Sequence, residues 1–191
     1  DMLSVWDEQL AESGSVILKR RRAFIVELEE MFQVYYNRVA LGREKVMLEY
    51  RTTVKNDDFL TSLHNSFERD RVLTYTTVGV HRDDLDLSLE GYPVKKLGSQ
   101  GQKKSFLTAL KFAQFAYLAE QKGVKPLLLL DDIFDKLDAD RVSQIIQIVS
   151  DTSFGQVFVT DTNREHIDEI LKQHALEYKI FHVEGGEVEE F

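Results

Sequence analysis

The chain has 191 residues, 43% hydrophobic and 30% charged, which is apolar content enough for one sizeable core or for a domain with a smaller appendage and excludes disordered and collagen-like chains. Cysteine is absent, so disulfides and Cys-ligated metals are excluded and a reducing cytoplasm is the expected setting. No apolar run reaches the roughly 18 residues of a membrane span, and the net charge of −9 argues against a uniformly basic nucleic-acid surface, though not against a local phosphate-binding patch. The first residues lack the basic and apolar regions of a secretory signal, and an opening on Asp1 followed at once by helix-like sequence suggests a piece of something longer.

From Met2 to about Ala40 the pattern is helical. Leu3, Trp6 and Leu10 share one face, a pause is expected at Ser13-Gly14-Ser15, and Ile17, Phe24, Leu28, Met31, Phe32, Tyr35 and Val39 continue the stripe up to a C-cap at Gly42. Lys19 to Arg22 form a basic run that reads either as a DNA-phosphate contact or as a solvated helix face. The solvated face is favoured, because four adjacent residues point around a helix and not to one side. Lys45 to Arg51 alternates as a half-buried strand, and Asn56-Asp57-Asp58 starts a helix running through Phe59, Leu63 and Phe67. Near residue 73 the character changes, which predicts a mainly helical arm over 1–73 and a different region over 74–191.

Thr74 to Val80 and Leu85 to Leu89 read as two short strands around His81-Arg82-Asp83-Asp84. A long helix is predicted from Ser99 to about Lys122, followed by Pro126 and four leucines, Leu127 to Leu130, as a strand buried on both faces. A helix over Ala139 to Ser150, a strand over Gln156 to Thr160, a helix over Arg164 to Gln173 and a strand over Tyr178 to Val183 complete a βαβαβ rhythm, and Gly185-Gly186 suggests a terminal hairpin. The expected class is α/β, a parallel sheet with flanking helices.

Ligands of open α/β sheets gather at the carboxyl ends of the strands, where Asp131 and Asp132 follow the leucine run. One acid there suits Mg²⁺, often through water, and the next can orient or deprotonate an attacking water. Alone, the pattern is more often an ordinary buried strand ending in a polar loop. Upstream, Gly98-Ser99-Gln100-Gly101-Gln102 opens the long helix. Ser99 can cap it and Gly101 lets backbone approach a ligand, so the first-turn amides can bind an anion; in isolation this is merely a capped helix.

Taken in this order, the motifs resemble the ABC-type ATPase family: Ser99, Gly101 and Gln102 match its Ser-x-Gly-Gln signature, Leu127 to Asp132 its Walker B strand, and Leu137-Asp138 the end of its D-loop. The resemblance implies that the fold is the C-terminal part of an ABC-ATPase head, that the signature of one protomer closes over ATP held by the other, and that ATP drives dimerisation. Asp131 would hold Mg²⁺, Asp132 would position water, and Ser99, Gly101 and Gln102 would meet the γ-phosphate across the dimer. Two departures imply slow turnover: Asp132 stands where Glu is usual, and Thr160-Asp161 stand where many members place a switch histidine.

A narrower resemblance comes from Thr77 to Leu85, which is similar to the Gly-Pro-His-Arg-Asp-Asp-Leu segment of the RecF family of bacterial recombination proteins, with Val80 in place of Pro. With Val5 to Leu10, the helical arm and the Asp-Asp strand end, it extends over nearly the whole chain. It implies DNA binding, both double-stranded and at gaps or single-strand/double-strand junctions, action with RecR and RecO in recombinational repair, and an ATP-dependent homodimer away from membranes.

No Gly-x-x-x-x-Gly-Lys-Ser/Thr occurs, so the loop that grips β and γ phosphates is missing. The expectation is therefore a C-terminal part of a longer protein, which alone binds ATP weakly and does not hydrolyse it. Two rivals remain: another SMC-like ABC head, disfavoured by the short arm without sustained heptads, and a non-catalytic interaction module that kept the fold.

Overall fold

The computed structural model describes residues 2–134, 136–151, 153–162 and 177–190. They group into two compact units, Asp1–Val124 and Lys125–Phe191.

In the first unit a single helix, α1 (Met2–Val39), is the longest element. Its buried stripe returns every seven residues, at Ala11, Leu18, Ile25, Phe32 and Val39, with Leu28 and Tyr36 between them, so one face is buried from Ala11 to the end of the helix, while Leu3, Trp6 and Leu10 before it are exposed. The expected pause at Ser13 to Ser15 does not occur. Glycine costs a helix about 1 kcal/mol, but a Cβ at Gly14 would lie 2.4 Å from the Phe59 ring. Gly14 is thus the place where α2 (Phe59–Leu73) presses against α1. Asp58 caps α2, accepting from the Thr61 amide at 3.0 Å, and Gly42, with φ +66, returns its amide to the Asn37 carbonyl at the end of α1.

The strand β1 (Val46–Arg51) buries Val46 and Leu48 and exposes Met47 and Glu49, as a half-buried strand should. It pairs antiparallel with β2 (Asp84–Leu89), which pairs with β3 (Tyr92–Pro93). No strand forms over Thr74 to Val80; the segment is a loop leading to a 3₁₀ turn at Val80–Arg82. Its threonines favour a strand locally, but Asp70 accepts the Thr77 amide and hydroxyl at 3.1 and 2.5 Å, and the Thr53 hydroxyl accepts the Gly79 amide at 3.0 Å. Donors that a ladder would use are spent on side chains.

The turn that follows is tied down from two sides, by Tyr50 of β1 and by Arg21 of α1. The Asp83 side chain is 2% exposed and accepts from the Tyr50 hydroxyl and from Arg21 at 3.1 Å, while Arg21 also donates to the Val80 carbonyl at 2.6 Å. Arg22 pairs with Asp57. Half of the basic run on α1 is therefore engaged in ion pairs within the protein, and Lys19 and Arg20 precede that half as exposed residues.

Next come α3 (Val94–Leu97) and α4 (Gln100–Lys122). The latter runs opposite to α1: Phe24 meets Tyr117 at 4.9 Å between ring centroids, and Phe32 meets Phe106 at 4.6 Å. Ile25, Leu28, Phe32, Tyr36, Leu48, Phe106 and Ala113 form one core, each large side chain contributing about 1.5–3 kcal/mol by burial. Because this core joins the arm to α4, the compact unit reaches Val124, later than the change of character near residue 73.

In the second unit β4 (Leu128–Asp131) and β5 (Val157–Thr160) pair in parallel, with α5 (Ala139–Val149) between them in the chain. Burial on both faces of the leucine run is not observed: Leu128 and Leu130 are 6% and 1% exposed, but Leu127 and Leu129 are 63% and 64% exposed. Four identical residues hide a period of two. Phe181–Glu184 (β6) and Glu187–Glu190 (β7) form the expected hairpin, turning through Gly185 and Gly186 at φ +60 and +89. Among the described residues β6 pairs only with β7, so the third parallel strand of the βαβαβ rhythm is replaced by a hairpin strand. The helix expected over Arg164 to Gln173 lies outside the described residues. No helix among them is long and apolar enough to cross a membrane.

Gly14→Ala should lower the urea midpoint: crowding a buried ring costs about 1–3 kcal/mol and outweighs the gain of about 1 kcal/mol in helix propensity. A raised midpoint would show that Phe59 has room to move. Tyr50→Phe should cost about 1 kcal/mol at neutral pH by taking a partner from Asp83. Burial, and then the bond to Asp83, hold the Tyr50 pKa above its ordinary value of 10.0. The stability this confers is complete below that value and is lost as pH rises through the folded pKa, so the alkaline slope of stability should be shallower in Tyr50→Phe, and an unchanged slope would remove Tyr50 from that role.

Candidate nucleotide-binding site

Ser99 sits at the N-cap of α4. Its Oγ accepts from the Gln102 amide at 3.2 Å, and Gln102 Oε1 accepts from the Ser99 amide at 2.9 Å, a reciprocal capping box. The Lys103 amide closes the first helical bond to the Ser99 carbonyl at 2.9 Å. Helix geometry leaves the amides of Gln100 and Gly101, the first two residues of α4, without intrahelical acceptors. Together with the serine hydroxyl proton and the positive end of the helix dipole, they make an anion-accepting turn. Between Glu90 and Glu120 the chain carries five lysines and no acid, so the local field favours anions within an acidic whole. The free end of the Gln102 amide donates to Glu44 Oε1 at 2.9 Å, and Glu44 Oε2 accepts from the Tyr36 hydroxyl at 2.5 Å. Glu44 and Tyr36 escape sequence reasoning because Glu44 lies 58 residues from Gln102 and belongs to no motif.

In the second unit the parallel register sets Asp131 beside Thr160 at the carboxyl ends of β4 and β5. The Thr160 hydroxyl donates to Asp131 Oδ1 and also accepts from the Asp132 amide at 3.2 Å, while the Thr160 carbonyl accepts that same amide at 3.1 Å. Asp132 has φ +48, a left-handed conformation that aspartate tolerates better than most residues. The backbone therefore turns sharply just where β4 ends, and Asp131 and Asp132 are both exposed at the tip, while Asp161, which follows Thr160 in the chain, is half-buried. Asp138 caps α5, accepting from the Arg141 amide at 2.9 Å and pairing with Arg141 Nε at 3.2 Å. The expected site residues thus fall into two sets, one in each compact unit: Ser99, Gly101 and Gln102 share a helix start, and Asp131, Asp132 and Thr160 share a strand end.

Among the described residues no group of three or more His, Asp or Glu side chains could hold a metal by itself. A single exposed carboxylate at a strand tip nevertheless suits Mg²⁺, which keeps most of its ligands as water or phosphate oxygens. The donor set fits that ion and would not fit a cation that needs an all-protein cage.

No family model matches the chain. The DNA replication and repair protein RecF of Phocaeicola vulgatus is 49% identical over 191 residues, which is 100% of this chain and 52% of that protein. RecF of Bacteroides fragilis is 45% identical over 190 residues, 100% of this chain and 51% of its own length. For RecF of Flavobacterium johnsoniae the identity is 45% over 183 residues, 96% of this chain and 51% of that protein. Two solved structures, of the recombination mediator protein RecF-ATPrS and of RecF-ATP in the RecFOR pathway, match with TM-scores of 0.74 and 0.76 at 27% identity, over 100% of this chain and 50% of each of theirs. The mixed α/β architecture with its parallel β4–β5 pair corresponds to half of those chains. The chain spans about half the length of the curated relatives it matches, and its similarity to these RecF proteins, at 45–49% identity, runs along the whole of it.

Proposed function

We propose that this chain supplies one half of a composite ATP site in a RecF-type DNA repair protein: the signature turn that closes over a partner's nucleotide, and the acidic strand end that serves its own. The observation that carries the reading is the Ser99–Gln102 capping box, which presents a serine hydroxyl and two first-turn amides at the start of a long helix. Ser99, Gly101 and Gln102 contact the γ-phosphate in trans, where those donors match phosphate oxygens. Asp131 holds Mg²⁺, which when bound would neutralise charge on the phosphates. Asp132 orients the attacking water, Asp138 fixes the D-loop end as the cap of α5, and Thr160 with Asp161 occupies the switch position. The Thr160 hydroxyl, shared between Asp131 and the Asp132 amide, sets the two acids relative to each other.

These 191 residues hold no phosphate-binding loop, so hydrolysis belongs to a full-length protein that supplies one. In such a protein ATP drives homodimerisation, the dimer binds double-stranded DNA and gap junctions, and it acts with RecR and RecO in the cytoplasm. Hydrolysis is slow, because Asp132 is one methylene shorter than the usual glutamate and reaches less far toward water.

Two substitutions in a full-length RecF-family protein carrying these residues separate the roles. Asn tolerates the left-handed backbone at position 132 as Asp does, so Asp132→Asn should keep ATP-driven dimerisation while turnover falls on the order of 10²-fold; unchanged turnover would remove Asp132 from the chemistry. Ser99→Arg should abolish the ATP-dependent dimer in sedimentation or light scattering. A dimer that persists in that variant would count against the signature assignment and in favour of a non-catalytic interaction module.

A further inference from the structure

We infer that Glu44 is the positioning residue of the signature turn: by holding the free end of the Gln102 amide it fixes which way that amide faces, and with it the capping box that presents Ser99. The inference rests on the nucleotide reading above. A glutamine amide has one accepting and one donating end. The capping box needs the oxygen toward the Ser99 amide, and the reversed amide would set donor against donor. Gln102 Nε2 donates to Glu44 Oε1 at 2.9 Å, a bond strengthened by the carboxylate charge, and only one orientation of the amide satisfies both partners.

Glu44 is itself held. Its second oxygen accepts from the Tyr36 hydroxyl at 2.5 Å, and the Tyr36 ring is 0% exposed, 5.8 Å from both Phe32 and Phe106 between centroids. Phe106 lies four residues beyond Gln102 on α4, so the same tyrosine packs against the helix and anchors the carboxylate that sets its first turn. The loop carrying Glu44 is fastened on its far side, where Gln33 Nε2 donates to the Val46 carbonyl at 2.6 Å and the Lys45 amide donates to Glu90 at 2.5 Å. Electrostatics alone would disfavour a carboxylate beside an anion-accepting turn. Its presence there is accounted for by orientation, and charge and orientation make opposite predictions.

The test compares Glu44→Ala, Glu44→Gln and Tyr36→Phe in a full-length RecF-family protein carrying this sequence, with two readouts: hydrogen exchange of the Gln102 backbone amide without nucleotide, and the dimer Kd with ATP. Glutamine at 44 can accept from Gln102 and donate to the Tyr36 oxygen, so Glu44→Gln should match the parent or dimerise more tightly. Glu44→Ala should speed exchange at Gln102 and weaken the ATP-dependent dimer about tenfold, the effect of losing one charge-assisted bond. Tyr36→Phe should shift both readouts in the same direction by less. If the alanine and glutamine variants behave alike, Glu44 acts only through its charge and the inference is overturned. It is equally overturned if exchange at Gln102 is unchanged in Glu44→Ala. Exchange that responds as expected in a parent that never dimerises with ATP would leave the positioning intact and reject the nucleotide reading instead.

Discussion

Phe32, Tyr36 and Phe106 meet where the end of α1 passes the beginning of α4, with ring centroids 4.6–5.8 Å apart. A helix of 38 residues has little to hold it straight in water by propensity alone. Its buried stripe needs a partner along its length, and α4 supplies one over the C-terminal half while Phe59 and Leu63 of α2 supply another near Gly14 and Leu18. The aromatic contact also fixes where α4 begins, and the start of α4 is where the anion-accepting turn lies. Packing and function are joined at Tyr36, whose ring belongs to the core and whose hydroxyl belongs to the site.

The second unit rests on a different constraint, the register of two parallel strands. Pairing Leu128 with Val157 carries Asp131 to Thr160, so a hydroxyl falls between two acids without any further device. A shift by one residue would turn Thr160 to the opposite face and break the bonds it makes to Asp131 and to the Asp132 amide.

Charged residues that look alike in the sequence have different occupations in the fold. Arg21 and Asp83 close the 3₁₀ turn onto α1, and Arg51 holds Asp84 and Asp86 on the sheet surface at 3.2 and 3.0 Å. Arg82 lies over the Tyr75 ring at 4.9 Å, and His81 Nε2 is 3.0 Å from the Thr76 carbonyl. The His-Arg-Asp-Asp segment that marks the family in sequence is, in this fold, largely a brace between the arm and the sheet. Exposed pairs such as Arg51 with Asp84 contribute little each; the buried end of Asp83 is what orders the turn.

Local chemistry was legible from the residues: Ser99 as a helix cap, Asn56-Asp57-Asp58 as a helix start, Gly185-Gly186 as a hairpin turn, and the alternation of Val46 and Leu48 each depend on neighbours within a few positions. The family likeness was legible for the same reason, because its motifs are short and ordered along the chain. The continuity of α1 through Gly14, the loop in place of a strand at Thr74 to Val80, the exposed face of Leu127 and Leu129 and the bond from Gln102 to Glu44 were decided only in three dimensions. Each depends on a group brought close from far along the chain: a ring at 59 for a glycine at 14, a threonine hydroxyl at 53 for an amide at 79, a carboxylate at 44 for an amide at 102. Propensity and pattern describe what a segment can do with its own atoms, and the tertiary structure decides which distant atoms it meets.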